Sequence, residues 1–71
     1  MTEHTVILEQ GPKNWSAYFP DVPGCVAAAV TREETEAPIR EALPLHLDDM
    51  REHGEPIPLP TTKATLVAVP A

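Results

Sequence analysis

Apolar and polar positions divide this chain into short strand-like runs and one long helical stripe. Thr5, Val6, Ile7 and Leu8 favour strand, and His4 to Gln10 reads as a first strand with Val6 and Leu8 on one face and Ile7 on the other. Gly11-Pro12-Lys13-Asn14 is turn chemistry and predicts a hairpin. Trp15 to Phe19 is then a second strand, with Trp15, Ala17 and Phe19 on one side and Ser16 and Tyr18 on the other. Pro20 and Pro23 lack a backbone donor and suit a connection better than a sheet interior. Pro23 pushes Val22 towards extended geometry, and Gly24 supplies a conformation that other residues avoid. Pro20, Asp21, Pro23 and Gly24 therefore predict an ordered turn, with Asp21 hydrogen-bonding its own turn as an Asx residue. Cys25 to Val30 is a third strand without alternation, which implies burial on both faces or small alanines under a close helix.

Thr31 closes that run as an N-cap, and Glu34 completes a Thr-x-x-Glu capping box. The helix should run from Arg32 to about His53. Ile39, Leu43, Leu47 and Met50 form its apolar stripe, and Glu33, Glu34 and Glu36 sit near the positive end of its dipole. Gly54 reads as the C′ residue and Pro56 as a stop signal. Pro38 and Pro44 each delete a helical hydrogen bond, so kinks or a break are expected there, with the overall direction retained. Glu55 to Pro60 alternates proline and is an extended, stiff connector, and Ala64 to Val69 is a fourth strand ended by Pro70.

The order βββαβ defines an α+β class in a single domain, residues 1–71. The first three strands form an antiparallel meander, and the helical crossover sets the fourth parallel to a neighbour in a four-stranded mixed sheet. One helix covers one sheet face. Apolar side chains at Ile7, Tyr18, Cys25–Val30 and Leu66–Val69 nevertheless fall on both, which predicts burial against another chain.

Size sharpens that expectation, because a 71-residue domain buries only about 60% of its unfolded surface. Cys25 is the single cysteine, so no disulfide framework assists, and a lone thiol in an apolar run fits a reducing cytoplasm. The N-terminus lacks the pattern of a signal peptide, and no run is long enough to cross a bilayer. Five Lys plus Arg against eleven Asp plus Glu give a net charge of −6, which argues against nucleic acid and suits a basic protein partner.

Candidate chemistry is sparse. Nothing near Cys25 in sequence stabilises a thiolate, so an inert buried thiol is expected. His46 and His53, with Asp49 between them, share a helix side but are too few for a metal site. Glu9, Asp21, Asp48, Asp49 and Glu52 do not form the convergent set that two-metal nuclease chemistry needs. No phosphate loop or nucleophile elbow is present. No catalytic residue, metal or cofactor is assigned.

Trp15-Ser16-Ala17-Tyr18-Phe19-Pro20-Asp21-Val22-Pro23-Gly24-Cys25-Val26 resembles the strand–Pro-Asp-x-Pro-Gly-Cys–strand signature of HicB-like antitoxins. Thr31 to Thr35 with Ile39 to Leu43 is similar to that family's capped helix, and Gly54 to Pro58 to the segment that closes it. The Pro-Asp-x-Pro-Gly-Cys core with its Thr-x-x-Glu start is the most specific part. The resemblance implies a truncated, ribonuclease-H-like fold without the nuclease carboxylates, assembled as a dimer or tetramer. It also implies a non-enzymatic role, occluding a small basic HicA-type mRNA-interfering ribonuclease. Trp15, Tyr18, Phe19, Glu41, Asp48, Asp49 and Glu52 are the candidate contacts. The rival reading is an orphan, self-assembling member without a toxin. Three departures stand out: the two helix prolines, the Ala27-Ala28-Ala29 run, and an end at Ala71 that leaves no expected room for a DNA-binding segment.

Overall fold

A computed structural model describes residues 2–71. Its elements are β1 (Ile7–Gln10), β2 (Trp15–Phe19), β3 (Val22–Ala29) and α1 (Arg32–Glu52). The hairpin between β1 and β2 closes where the Gly11 amide donates to the Asn14 carbonyl at 2.7 Å. Both strand pairs are antiparallel, in the order β1-β2-β3. Register sets Leu8 beside Ala17 and Ala27, and Ile7 beside Tyr18 and Val26. Leu8, Ala17 and Ala27 face the helix; Ile7, Tyr18 and Val26 form a row across the outer face.

β3 begins earlier than its sequence suggests. Phe19 pairs with Val22 and Tyr18 with Val26, so Pro23, Gly24 and Cys25 lie between consecutive partners as an irregularity in the ladder. Pro23 has no N–H to donate, and Gly24 takes a φ of +88°, which is what such a bulge requires. The tight turn is thus confined to Pro20-Asp21, and Pro-Gly re-aims the strand after it. A Cβ on Gly24 would stand 3.7 Å from His46 Cε1, so helix and bulge approach closely here.

The helix starts and stops where its caps dictate. The Glu34 amide donates to Thr31 Oγ1 at 3.1 Å, and that hydroxyl donates to the Glu34 carboxylate at 2.9 Å. At the other end Gly54 has φ +70°, with its amide on the Arg51 carbonyl and the Glu55 amide on that of Met50, the Schellman pattern. Pro38 and Pro44 do not break the helix, and α1 is continuous through both. The carbonyls they leave without a donor, four residues earlier, belong to the exposed Glu34 and Arg40, where water can take the missing partner's place.

Ala17, Phe19, Val22, Cys25 and Ile39 form the buried core, with Val6, Leu8, Leu43 and Leu47 packed around it. Thr35 is buried too, and its hydroxyl is satisfied by the Thr31 carbonyl at 2.8 Å. The helix lies chiefly over β3 and β2 and barely reaches β1.

The α+β class stands, but the expected fourth strand is not formed, so the four-stranded mixed sheet is corrected to a three-stranded antiparallel sheet among the described residues. Ala64–Val69 has strand composition, but a strand also needs a neighbour's ladder, and this segment has none among the described residues. Leu66 is fully exposed. The radius of gyration, 13.9 Å, exceeds the roughly 11 Å of a compact chain of this length, as a projecting segment requires.

Ile39 is 0% exposed and joins the helix to the sheet. Ile39→Ala should cost about 2–5 kcal/mol in urea unfolding; a loss below about 1 kcal/mol would contradict this core.

Candidate partner-binding site

The most connected polar group is Asp21, and it does not bond its own turn. Its carboxylate reaches forty residues along the chain, accepting from the Thr62 amide at 2.9 Å, Thr62 Oγ1 at 2.7 Å and Thr61 Oγ1 at 3.0 Å. Thr5 Oγ1 in turn donates to the Thr62 carbonyl at 2.8 Å. Thr62 is therefore held on both backbone sides, between the start of β1 and the β2–β3 turn. The Thr62 amide, followed by its hydroxyl, holds the Asp21 carboxyl below its ordinary value of 3.8. The expected Asx turn is corrected to a long-range clamp. The proline connector leads Thr61 and Thr62 to the carboxylate, and a purely local reading has no access to that.

The candidate contacts fall on different surfaces. Tyr18 stands on the outer sheet face, in a row with half-buried Ile7 and exposed Val26. Trp15 is half-buried on the helix side, and Phe19, at 5% exposure, belongs to the core and offers almost nothing to a partner. Glu41, Asp48, Asp49 and Glu52 are exposed on α1, which packs against the opposite sheet face from Tyr18. Helical spacing puts Glu41, Asp48 and Glu52 on the outward ridge and Asp49 towards its flank.

Leu45 is the residue that the sequence reading missed. It lies on the same ridge, four residues after Glu41, and is 71% exposed. Its signal was available: it falls outside the stripe of Ile39, Leu43, Leu47 and Met50. The carboxylates also differ among themselves. Arg51 Nη1 lies 2.8 Å from Asp48 Oδ1, and His53 Nδ1 lies 3.5 Å from Asp49 Oδ1 and 2.8 Å from the Asp49 carbonyl. Hydrogen bonding to that carbonyl and the Asp49 charge raise the His53 pKa. Among the described residues, Glu41 and Glu52 have no cation within 4 Å. Exposed pairs of this kind are worth little, so all four remain open to an outside cation.

Cys25 is buried, and burial raises its thiol pKa, away from nucleophilic character. His46 faces the Gly24 bulge while His53 caps the helix, and among the described residues no three acidic, His or Cys side chains converge as a metal site. Among the described residues, no helix is long and apolar enough to cross a membrane.

A small α+β module with an acidic helix ridge, an apolar outer sheet row and a buried, inert thiol has the surfaces of a protein that binds another protein. Sequence comparison gives it a family. Residues 4–71 match the family described as HicB-like antitoxin of bacterial toxin–antitoxin systems. The chain is also similar to Antitoxin HicB 2 of Photorhabdus laumondii subsp. laumondii, with 36% identity over 69 residues, covering 96% of this chain and 50% of that relative. It belongs to the HicB-like antitoxin family. It spans half the length of the relative it matches.

The clamp has a pH sign. A carboxyl whose pKa is lower folded than unfolded adds stability above the unfolded value and loses it as pH falls through the folded one. Asp21→Asn should abolish hydrogen-exchange protection of the Thr62 amide at neutral pH while leaving helix amides protected. In the unaltered chain that protection should fade only as pH drops below the ordinary aspartate range. An unchanged Thr62 amide in the variant would contradict the clamp. Cys25 should react with a thiol reagent at least roughly tenfold faster in urea than in buffer, and equal rates would contradict its burial.

Proposed function

We propose that this chain is a non-enzymatic antitoxin that binds a small, basic HicA-type mRNA-interfering ribonuclease and blocks access to its active site. Family membership supplies the toxin–antitoxin context. The observation that carries the reading further is the outward ridge of α1, where exposed Leu45 stands among Glu41, Asp48 and Glu52. An apolar anchor ringed by carboxylates suits a basic protein surface: burial of Leu45 supplies affinity, while the charges steer encounter and select the partner. Asp49 contributes from the flank. Tyr18, with Ile7 and Val26, forms a second apolar surface on the far side of the sheet. That second surface fits an assembled state, a dimer or tetramer, in which the toxin and a further copy occupy different faces. The net charge of −6 favours a protein partner over nucleic acid, and the proposed setting is the cytoplasm.

Glu41→Lys with Glu52→Lys should weaken binding to the basic toxin by on the order of tenfold at low salt and much less at high salt, measured by titration calorimetry. Leu45→Ala should weaken it by a similar amount at both salts. Unchanged affinity in both the double charge variant and Leu45→Ala would remove the ridge from the interface.

A further inference from the structure

Two unfinished features of this molecule lie close together. β1 is an edge strand, and the helix scarcely covers it. Where the chain enters it, a cleft of about 470 Å³ opens, lined by Thr2, His4, Val6, Phe19, Arg40 and Leu43. His4 Nδ1 is enclosed there and has no hydrogen-bond partner among the described residues. A buried ring nitrogen without a partner is costly, and it marks a place where a polar group is missing. Edge strands in turn present unpaired backbone groups, which natural folds cover or pair.

The second feature is the segment after Thr62. Lys63 to Val69 is extended and exposed, with Leu66, Val67 and Val69 all in solvent. Its composition is that of a strand: Thr65, Val67 and Val69 share one face and Leu66 and Ala68 the other. At roughly 3.3 Å per residue it spans roughly 20 Å, enough for the whole of the four-residue β1. Thr62 is bonded through its N–H to Asp21 and through its carbonyl to Thr5, so the direction in which the chain leaves it is set. That direction carries the segment off its own sheet.

We propose that residues 63–69 are a donor strand that pairs with the β1 edge of a second copy, its end seated in the cleft at the entry to β1. Donor and acceptor are present on every chain and are unfilled among its described residues. Two copies therefore satisfy each other reciprocally about a two-fold axis, which closes the assembly and leaves no open filament end. The incoming strand extends the ladder of β1, sets one row of its side chains against Val6, Phe19 and Leu43, and brings a backbone donor to His4 Nδ1. The proposal rests on the self-association reading above, not on toxin capture, and gives it a contact at the β1 edge, separate from the outer row of Ile7, Tyr18 and Val26.

Light scattering on the 71-residue chain should report a dimer, and Leu66→Glu with Val69→Glu should weaken dimerisation by at least roughly tenfold. Both side chains are exposed in the single chain, so the substitutions leave its core intact and circular dichroism should not change. In a mixed sample of labelled and unlabelled protein, intermolecular nuclear Overhauser effects should join Leu66 and Val67 to Val6 and Leu8. A chain that stays monomeric at high concentration overturns both strand donation and self-association. A dimer insensitive to the double substitution overturns strand donation alone. Contacts between residues 63–69 and β1 found only within one molecule overturn it as well.

Discussion

A single helix has to cover a three-stranded sheet, and it is not wide enough to do so. α1 settles over β2 and β3, where Ala17, Ala27 and the Gly24 bulge let it come close, and Ile39 is sealed at the contact. Every other feature follows from what this leaves bare. β1 keeps a free edge and a cleft where the chain enters it, and the outer sheet face keeps its row of Ile7, Tyr18 and Val26. In a chain of this size such surface is a large share of the apolar total, so the fold is inherently unfinished as an isolated unit.

Charged and polar groups then determine how the ends of the chain sit on that core. Thr31 and Gly54 set the limits of the helix by local bonding. Asp21 acts at long range, gathering Thr61 and Thr62 onto the β2–β3 turn and fixing where the C-terminal segment departs. The same carboxylate explains how a proline-rich connector, which has few backbone donors of its own, is tethered to the sheet at all.

Local signals were legible in the sequence and pairwise ones were not. The Thr-x-x-Glu start, the Gly54 stop and the side-to-side alternation of Trp15–Phe19 each depend on residues within one turn or one pleat, and each stands as read. Alternation alone already separates Tyr18 from Trp15 and Phe19, and coverage by the helix decides which side is core. The partners of Asp21 lie forty residues away, and composition near Pro20 carries no trace of them. Ala64–Val69 shows the other limit: β-propensity describes fitness for a sheet, while a strand exists only where an edge accepts it. Pro38 and Pro44 are tolerated because the backbone groups they release belong to exposed residues, and exposure is a tertiary property. On the ridge, the acids were visible in sequence, whereas Leu45 needed the orientation of the helix to stand out as surface.

Function thus divides between two sides of a thin module. The acidic ridge around Leu45 faces outward from the helix and the apolar outer sheet row faces the other way, so the proposed toxin and a proposed second copy would use separate surfaces. Toxin occlusion is the central claim, and co-expression tests it most directly. The chain would be produced together with the product of a small open reading frame neighbouring its gene, followed by tag pull-down and a growth assay. The account predicts that the neighbour alone arrests growth, and that adding this chain restores growth and yields a co-purifying complex. A toxic neighbour that neither binds this chain nor is relieved by it would contradict the account.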